Sequence, residues 1–435
     1  MQKADILIHS CTILPINGKD SIVENGSIAI AGGKIVYVGA LKAPQFKAEI
    51  VIDGTDKVAI PGLINCHTHL SMTLFRGKAE DEPLSTWLEQ TIWPLESKLT
   101  PDDIYQGALL GCLESIKAGT TTFADMYFHE AQVAKAVDRS GLRAVLAQGI
   151  IEADDCKRGE RMLAEGIEFA EAFNGYGGGR VTTRLGPHAL YTCSPKLLVQ
   201  TQEAAANLGI GTHIHVAESK QKSDWVKERY GCTEIELLKR IDLLGPDTLA
   251  AHCIHLTKLD MQIMARHRVK VSYNPTANMK IGSGIPRVKE LLSAGVSVGI
   301  GTDGPASNNN LDMLEEMRFA ALLQKTKYMD PTVLSAQQTL KMATIEGARA
   351  LGLERVIGSL QVGKKADVVL IDFSSPHLKP SHDPYANIVY SANGADVDTV
   401  IVDGNLLMQE RHVKTLDANE VMQNGQRVAS NLTSR

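Results

Sequence analysis

The chain has 435 residues, of which 44% are hydrophobic and 22% are charged, so it contains enough apolar material for a large folded core. Its formal net charge of -5 offers no basic surface of the kind that nucleic-acid binding needs, and we expect no nucleic-acid partner. No run reaches the roughly 20 apolar residues that span a bilayer, and the start lacks an apolar leader, so we expect a cytoplasmic protein without membrane contact. Seven scattered cysteines without a Cys-x-x-Cys pair argue against a disulfide framework.

Both ends of the chain are typical of short strands separated by turns. The candidate strands near the start cover residues 5–14, 26–31, 34–38 and 49–53, and those near the end cover residues 366–372 and 397–405. Neither end has enough strands for a stable sheet of its own. We therefore predict that residues 1–60 and 356–435 combine into one small β-sandwich domain.

Between these ends, residues 61–355 alternate short apolar runs with longer helical patterns, which is the pattern of repeated βα units. After a first strand before His67, the candidate strands are 121–126, 143–150, 181–188, 211–216, 248–252, 270–273 and 297–301. Eight parallel strands close a barrel. The predicted fold class is therefore α/β, a (β/α)8 TIM-like barrel with an accessory β domain.

Histidines and carboxylates occur where these strands end, and in a barrel the carboxyl ends of the strands meet at the face that carries active sites. The candidates are His67 and His69 after the first strand, His188 after the fourth, His215 after the fifth, His252 after the sixth and Asp303 after the eighth. Polar residues also form turns at strand ends, so it is the whole set, and no single member, that indicates an active site.

His67 and His69 are one residue apart on a strand, so both imidazoles face the same side and can bind one metal ion. With His215 and Asp303 they form the predicted metal set. Three imidazoles and a carboxylate suit zinc, with Fe²⁺ and Mn²⁺ as alternatives, and an open position lets the ion acidify a water molecule to a pKa of about 7. His213 has the same strand parity as His215 and is the alternative ligand, or else a buried histidine near the site.

Glu218 follows His215 by three residues, where the strand gives way to a loop. A glutamate that is not a metal ligand can move the proton of the attacking water to a ring nitrogen and a leaving amine, which is the chemistry of a zinc deaminase. The alternative is a surface carboxylate that caps the next helix. We predict that His252 hydrogen-bonds to the attacking water or its metal and that Asp303 accepts the proton of that water.

These residues resemble the amidohydrolase superfamily, and the chain resembles its 5-methylthioadenosine/S-adenosylhomocysteine deaminases in particular. The motifs of the resemblance lie at residues 61–69, 72–77, 84–88, 93–96, 186–194, 215–218, 273–280 and 301–304. The resemblance covers essentially the whole chain. It implies a hydrolase that converts 5'-substituted adenosines into the inosine analogue and ammonia.

The resemblance also implies that Glu96 binds the ribose hydroxyls, that His188 contacts the nucleoside, that Trp87 packs over the substrate and that Ser307 lies near the metal. Trp87 could instead be an ordinary core or loop anchor. Relatives with two metals carry a carboxylated lysine at the end of the fourth strand, so His188 there favours a single ion.

Family members that accept S-adenosylhomocysteine present arginines to its carboxylate, and Gln148 stands at the first expected arginine position. Glutamine cannot form the charged bidentate pair that arginine forms with a carboxylate. Arg158 or Arg161, on the next loop, could supply a charge instead. We therefore rank methylthioadenosine, 5'-deoxyadenosine and adenosine above S-adenosylhomocysteine.

Two alternatives remain open from the sequence. The same metal site could act on another heterocycle, such as guanine, cytosine or a chloro-s-triazine. A non-catalytic scaffold on this barrel would have no reason to keep the metal set together with Glu218. The predicted partner is a small nucleoside, and a homo-oligomer is left open.

Overall fold

The computed structural model describes residues 2–18, 21–40, 46–78, 80–82 and 86–434, with the backbone alone for residues 433 and 434. Leu84 and Ser85, which belong to one motif of the resemblance, lie outside the described residues. Within these ranges, every helix is too short or too polar to cross a bilayer.

The strands of the described residues belong to two sheets. In chain order they are β1 (Gln2–Ile13), β2 (Val23–Ala31), β3 (Lys34–Ala40), β4 (Phe46–Asp53), β5 (Lys57–Pro61), β6 (Leu63–Thr68), β7 (Thr120–Tyr127), β8 (Arg143–Ile150), β9 (Val181–Pro187), β10 (Gly211–Val216), β11 (Thr248–His252), β12 (Lys270–Tyr273), β13 (Ser297–Ile300), β14 (Val368–Asp372), β15 (Val397–Val402), β16 (Asn405–Gln409) and β17 (His412–Val413).

The two ends of the chain form one mixed sheet, in the order β17-β16-β15-β14-β5-β1-β2-β3, with β4 paired to β1. The two halves join where β5 runs antiparallel to β14, with Ile60 opposite Val369. Apolar residues from both halves, among them Ile8, Ile28 and Val368, pack into a common core. The prediction that both ends combine into one β unit is confirmed.

The second sheet runs from β6 to β13 in sequence order, and every recorded pairing in it is parallel. Its two edge strands, β6 and β13, approach each other. The amide N of Asp303, just after β13, donates to the carbonyl of His67 on β6 at 2.9 Å. This arrangement confirms the predicted eight-unit barrel. The division into residues 1–60, 61–355 and 356–435 stays our proposal.

Helices fill the connections between the strands. They are α1 (Trp93–Glu96), α2 (Pro101–Lys117), α3 (Glu130–Ser140), α4 (Cys156–Phe173), α5 (Tyr176–Gly179), α6 (Pro195–Leu208), α7 (Lys220–Tyr230), α8 (Glu234–Arg240), α9 (Lys258–His267), α10 (Pro275–Lys280), α11 (Val288–Ser293), α12 (Met313–Tyr328), α13 (Ala336–Met342), α14 (Ile345–Leu351), α15 (Pro384–Ala386) and α16 (Ala418–Ser434), with 3-10 turns at Leu70–Phe75, Pro376–Leu378 and Gly394–Asp396 and π-helical turns at Trp87–Ile92 and Asn387–Ser391.

The sequence patterns did not predict several of these helices, among them α4, α7 and α16. Two glycines, Gly159 and Gly166, interrupt the helical pattern of α4 because glycine has low helix propensity. In the folded chain both face packed neighbours: a Cβ at Gly159 would lie 3.0 Å from Leu197. The helix therefore forms because it packs on the barrel, which local sequence does not show.

Candidate metal and substrate site

The first barrel strand, β6, is buried along its whole length, with the barrel interior on one side and helices on the other. His67 is fully buried, and His69 lies just past the end of the strand with its ring centroid 4.8 Å from that of His67. The side chains of His215 and Asp303 reach the same point from β10 and from the loop after β13. The four residues of the predicted metal set therefore meet at the carboxyl ends of the strands.

The distances between their atoms suit a bound cation. Nε2 of His67 and Nε2 of His69 each lie 3.3 Å from Oδ1 of Asp303, and Nε2 of His69 lies 3.4 Å from Nε2 of His215. Around a tetrahedral ion with metal–ligand bonds of about 2.1 Å, neighbouring ligand atoms are about 3.4 Å apart. His252 forms a second group of mutually close nitrogen atoms with His67 and His215.

Hydrogen bonds on the far side of each ring direct a bare nitrogen to the centre. Nδ1 of His69 donates to the carbonyl of Met126 at 2.6 Å, and Nδ1 of His215 donates to the carbonyl of His188 at 2.8 Å. With Nδ1 protonated, the Nε2 lone pairs face one another across 3.4 Å, an arrangement that a cation between them stabilises. The residues present therefore fit a metal ion.

His213 lies behind His67 rather than at the centre. Its Nε2 is 2.9 Å from Nδ1 of His67, so it can accept the proton of that ring and fix its orientation. The structure thus places the alternative ligand of the sequence analysis in a supporting position. Among the described atoms, Nε2 of His67 and Nε2 of His252 have no hydrogen-bond partner.

The protonation of these groups is set by burial and by Asp303. Burial lowers the pKa of His67 to about 4 and that of His215 well below its usual range, so both rings are neutral. Burial also acts to lower the pKa of His69, but Asp303 outweighs it and raises that pKa to about 9, so a positive charge on Nε2 of this ring, from a proton or from a metal ion, is favoured. Burial opposes ionisation of Asp303, yet His67 and His69 hold its pKa well below its usual range. A positive charge beside this carboxylate is therefore stabilised.

The backbone is strained where it delivers two of these side chains. Asp303 has a φ of 63° and His252 a φ of 71°, in the left-handed region that residues other than glycine seldom adopt. Gly301 lets the turn before Asp303 approach β6, since a Cβ there would lie 2.8 Å from the amide N of His67. Such strain at a site is typical of function.

Glu218 lies beside His252, with Oε1 3.8 Å from Nε2 of that histidine. Burial raises the pKa of Glu218. Nδ1 of His252 donates to Oδ1 of Asn278 at 2.8 Å, which leaves Nε2 bare and directed into the site. Oγ of Ser307 donates to Oδ2 of Asp303 at 2.8 Å, so Ser307 lies beside the metal set, where the resemblance implied.

A cleft leads from this centre to the surface and encloses a cavity of about 70 Å³. Trp87 and Glu96 line it from the segment after β6, and His188 lines it from the end of β9. Its wall also contains Leu88, Ile92, Trp93, Met126, Tyr127, Phe128, Ile151, Tyr191 and Ile281. An apolar cleft with a few polar groups suits a small organic ligand.

Two polar groups of this wall have strongly shifted pKa values. The carboxyl group of Glu96 lies in the wall of the cleft, and its burial raises its pKa to about 7, although the Tyr127 hydroxyl donates to Oε1 at 2.8 Å. Burial lowers the pKa of His188 to about 3, so this ring is neutral, and its Nδ1 is 2.8 Å from Oγ1 of Thr192.

The remaining substrate candidates line a neighbouring cavity of about 500 Å³, which shares Glu96 with the cleft. Gln148, Arg158 and Arg161 all lie in its wall. Oε1 of Gln148 accepts from the amide N of Glu130 at 3.1 Å, so this oxygen caps the start of α3. Both arginines are on the first turns of α4 and partly or fully exposed to solvent.

Two residues of the site were not assigned by sequence reasoning. Tyr127 ends β7, so the rule that polar residues at strand ends form the site could have identified it. Asn278 lies in the motif at residues 273–280, but nothing in the sequence shows that it contacts His252.

Comparison with known proteins identifies the family. The sequence model of the Amidohydrolase family matches residues 58–407. The 5-methylthioadenosine/S-adenosylhomocysteine deaminase of Moorella thermoacetica is 51% identical over 96% of this chain and 97% of its own length. The 5'-deoxyadenosine deaminase of Methanosarcina mazei is 47% identical over 99% of both chains.

A solved structure shows the same architecture. The zinc-bound adenosine deaminase of Xanthomonas campestris superposes with a TM-score of 0.94, with 31% identity and complete coverage of both chains. The fold, the metal-binding geometry and these relatives agree. The chain therefore belongs to the amidohydrolase family, and within it to the group of the 5-methylthioadenosine/S-adenosylhomocysteine deaminases.

Proposed function

We propose that the protein is a zinc-dependent deaminase that hydrolyses 5'-substituted adenosines to the inosine analogue and ammonia. The observation that carries this proposal is one cleft whose wall contains His69, His215 and Asp303 of the metal set together with the acids Glu218 and Glu96. The relatives named above act, by their names, on nucleosides of this kind.

His67, His69, His215 and Asp303 would hold the ion, which would supply an acidified water molecule for attack on the amino-bearing carbon of the purine. Asp303, ionised and beside the metal position, accepts the proton of that water. Burial raises the pKa of Glu218, which favours its protonated form, and in that form it can give a proton to the neighbouring ring nitrogen. Nε2 of His252 hydrogen-bonds to the same water. The proton held by Asp303 passes to the amino group, which leaves as ammonia, and the ionised Glu218 takes the proton of the added hydroxyl as the purine carbonyl forms.

Glu96 is placed to select a nucleoside. Its carboxylate can accept from both hydroxyls of a ribose, and the neutral ring of His188 stands on the wall of the same cleft. Guanine, cytosine and chloro-s-triazines have no ribose for Glu96 to bind. These alternatives are therefore less well supported than an adenosine.

The neighbouring cavity is placed to receive the 5' substituent, because it opens beside Glu96. Gln148 cannot form a bidentate ion pair there, and the oxygen of its amide is engaged by α3. Arg158 and Arg161 remain as cations on an exposed helix, where a pair with a carboxylate contributes little. We rank methylthioadenosine and 5'-deoxyadenosine above S-adenosylhomocysteine for this reason.

The deciding experiment measures ammonia release from methylthioadenosine, 5'-deoxyadenosine, adenosine and S-adenosylhomocysteine and compares kcat/KM. We expect turnover of the first three and a lower kcat/KM for the last. No turnover of any of them by metal-loaded protein would refute the proposal. S-adenosylhomocysteine as the best substrate would refute the inference from Gln148.

Zinc is the proposed ion because three imidazoles and one carboxylate suit it and because the Xanthomonas campestris structure holds zinc. Metal analysis of purified protein tests this identity. Stripped protein reloaded with Zn²⁺, Fe²⁺ or Mn²⁺ should regain its highest activity with zinc, and a clear preference for another ion would contradict the assignment.

A further inference from the structure

The carboxylate of Glu96 is held by one direct hydrogen bond from the barrel. Tyr127 ends β7 and is almost fully buried, and its Oη donates to Oε1 of Glu96 at 2.8 Å. Burial raises the pKa of the Tyr127 phenol well above its usual range, so the hydroxyl keeps its proton. When Glu96 is ionised, its carboxylate is only an acceptor, so Tyr127 is the donor in this pair.

This contact restricts how Glu96 can meet a ligand. The helix that carries Glu96, α1, has four residues and follows the π-helical turn Trp87–Ile92, so the segment alone gives the side chain little support. With one lone pair of Oε1 engaged by Tyr127, the other lone pairs of the carboxylate point in fixed directions. Two hydroxyl donors on adjacent carbons match such a fixed pair of oxygens.

We propose that Tyr127 is a positioning residue for ribose recognition: its hydroxyl orients the Glu96 carboxylate so that it accepts from both hydroxyls of the sugar. The inference rests on the proposed function, because it assumes that Glu96 binds a nucleoside. Tyr127 itself does not touch the reacting atoms.

The packing of the ring offers a simpler explanation, which the test must exclude. The Tyr127 ring lies 5.2 Å from that of Phe128 and 6.0 Å from that of His69, between centroids, so it also supports the metal site. Tyr127→Phe keeps the ring and these contacts and removes only the hydroxyl. Tyr37→Phe is the matched control, since Oη of Tyr37 donates to the carbonyl of Ala40 in the small sheet.

The test compares nucleosides with and without the diol. Calorimetry measures the binding of inosine and of 2',3'-dideoxyinosine, which are products and are not turned over. In Tyr127→Phe we expect the affinity for inosine to fall about tenfold, the size of one hydrogen bond to a charged group, and that for the dideoxy analogue to change less than about twofold. Metal content should be unchanged, and Tyr37→Phe should match the wild type for both ligands.

Kinetics with adenosine and 2',3'-dideoxyadenosine should follow the same pattern. In Tyr127→Phe we expect kcat/KM for adenosine to fall because KM rises, with kcat little changed. Equal losses for both sugars, or no loss for either, would overturn the inference. So would a wild-type protein that fails to bind inosine more tightly than its dideoxy analogue. Absence of deamination together with the expected inosine result would refute the proposed reaction alone.

Discussion

At the scale of single residues, the chemistry of the site depends on which nitrogen of each histidine is free. Backbone carbonyls engage Nδ1 of His69 and of His215, and Oδ1 of Asn278 engages Nδ1 of His252. In each ring the opposite nitrogen, Nε2, therefore faces the centre of the site. We propose that the same side chain type serves as a metal ligand at two positions and as a hydrogen-bonding group for water at a third.

Glu218→Gln tests the proton transfer assigned to Glu218. The amide has nearly the same shape but cannot carry the proton, so we expect kcat for the deamination to fall by about 10²- to 10⁴-fold while metal content stays the same. Fixed-time ammonia assays measure kcat, and metal analysis of the same sample measures the metal content. Glu171→Gln, on the exposed face of α4, is the control. Near-normal turnover of Glu218→Gln would exclude Glu218 as the proton carrier.

At the scale of elements, loops that carry the site are supported by a helix beneath them. Glu316 on α12 is fully buried and accepts from the amide N of Thr276 at 3.2 Å and from Nδ2 of Asn308 at 2.7 Å. Thr276 follows β12, and Asn308 follows the turn that carries Asp303. A single carboxyl group therefore links two loops of the active-site face.

Burial raises the pKa of Glu316 from 4.5 to about 8, which makes the contribution of this link depend on pH. The folded chain binds the proton of Glu316 more tightly than the unfolded chain does. Protonated Glu316 therefore stabilises the fold fully below pH 4.5, and this stabilisation is lost as the pH rises towards 8. Glu316→Gln cannot ionise, so its melting temperature should improve relative to wild type between pH 5 and about 8.5. Scanning calorimetry across this range measures the difference, with the exposed Glu168→Gln as control. A difference that does not change with pH would contradict the prediction.

At the scale of the whole molecule, a buried ion pair joins the barrel to the small sheet. Nε and Nη2 of Arg143, at the start of β8, donate to the two carboxylate oxygens of Asp367, both at 3.2 Å, and each residue is only 4% exposed. The same carboxylate accepts from the amide N of Asp403. The two units of the fold are thus held together by a pair that water does not reach.

Asp367→Ala should lower the free energy of unfolding by about 3–5 kcal/mol, because it leaves the guanidinium of Arg143 buried without its partner. The control is Asp138→Ala, which removes the partner of Arg180 from an ion pair in which the Asp138 side chain is 45% exposed. This substitution should lower the free energy of unfolding by at most about 1 kcal/mol. Urea denaturation followed by tryptophan fluorescence compares the two. Equal effects of both substitutions would show that burial does not determine the strength of the Arg143 pair.

The sequence by itself determined the alternation of strands and helices, because burial on both sides of a barrel strand requires apolar runs such as those before His67 and Asp303. It also determined that the candidate site residues meet, since the carboxyl ends of parallel strands share one face. The bounds predicted for β8, β10, β11 and β12 agree with the structure to the residue. The helix α4 was missed because tertiary packing, not local propensity, stabilises it.

Only the tertiary structure decided how each group of the site is used. His213 and His215 have the same strand parity, and their different positions depend on contacts with β6 and β9 that are distant in sequence. The hydrogen bonds of Asn278 to His252 and of Tyr127 to Glu96 also join separate βα units. Sequence periodicity fixes the face on which a side chain lies, whereas the partner of its polar atoms depends on how the closed barrel brings the loops together.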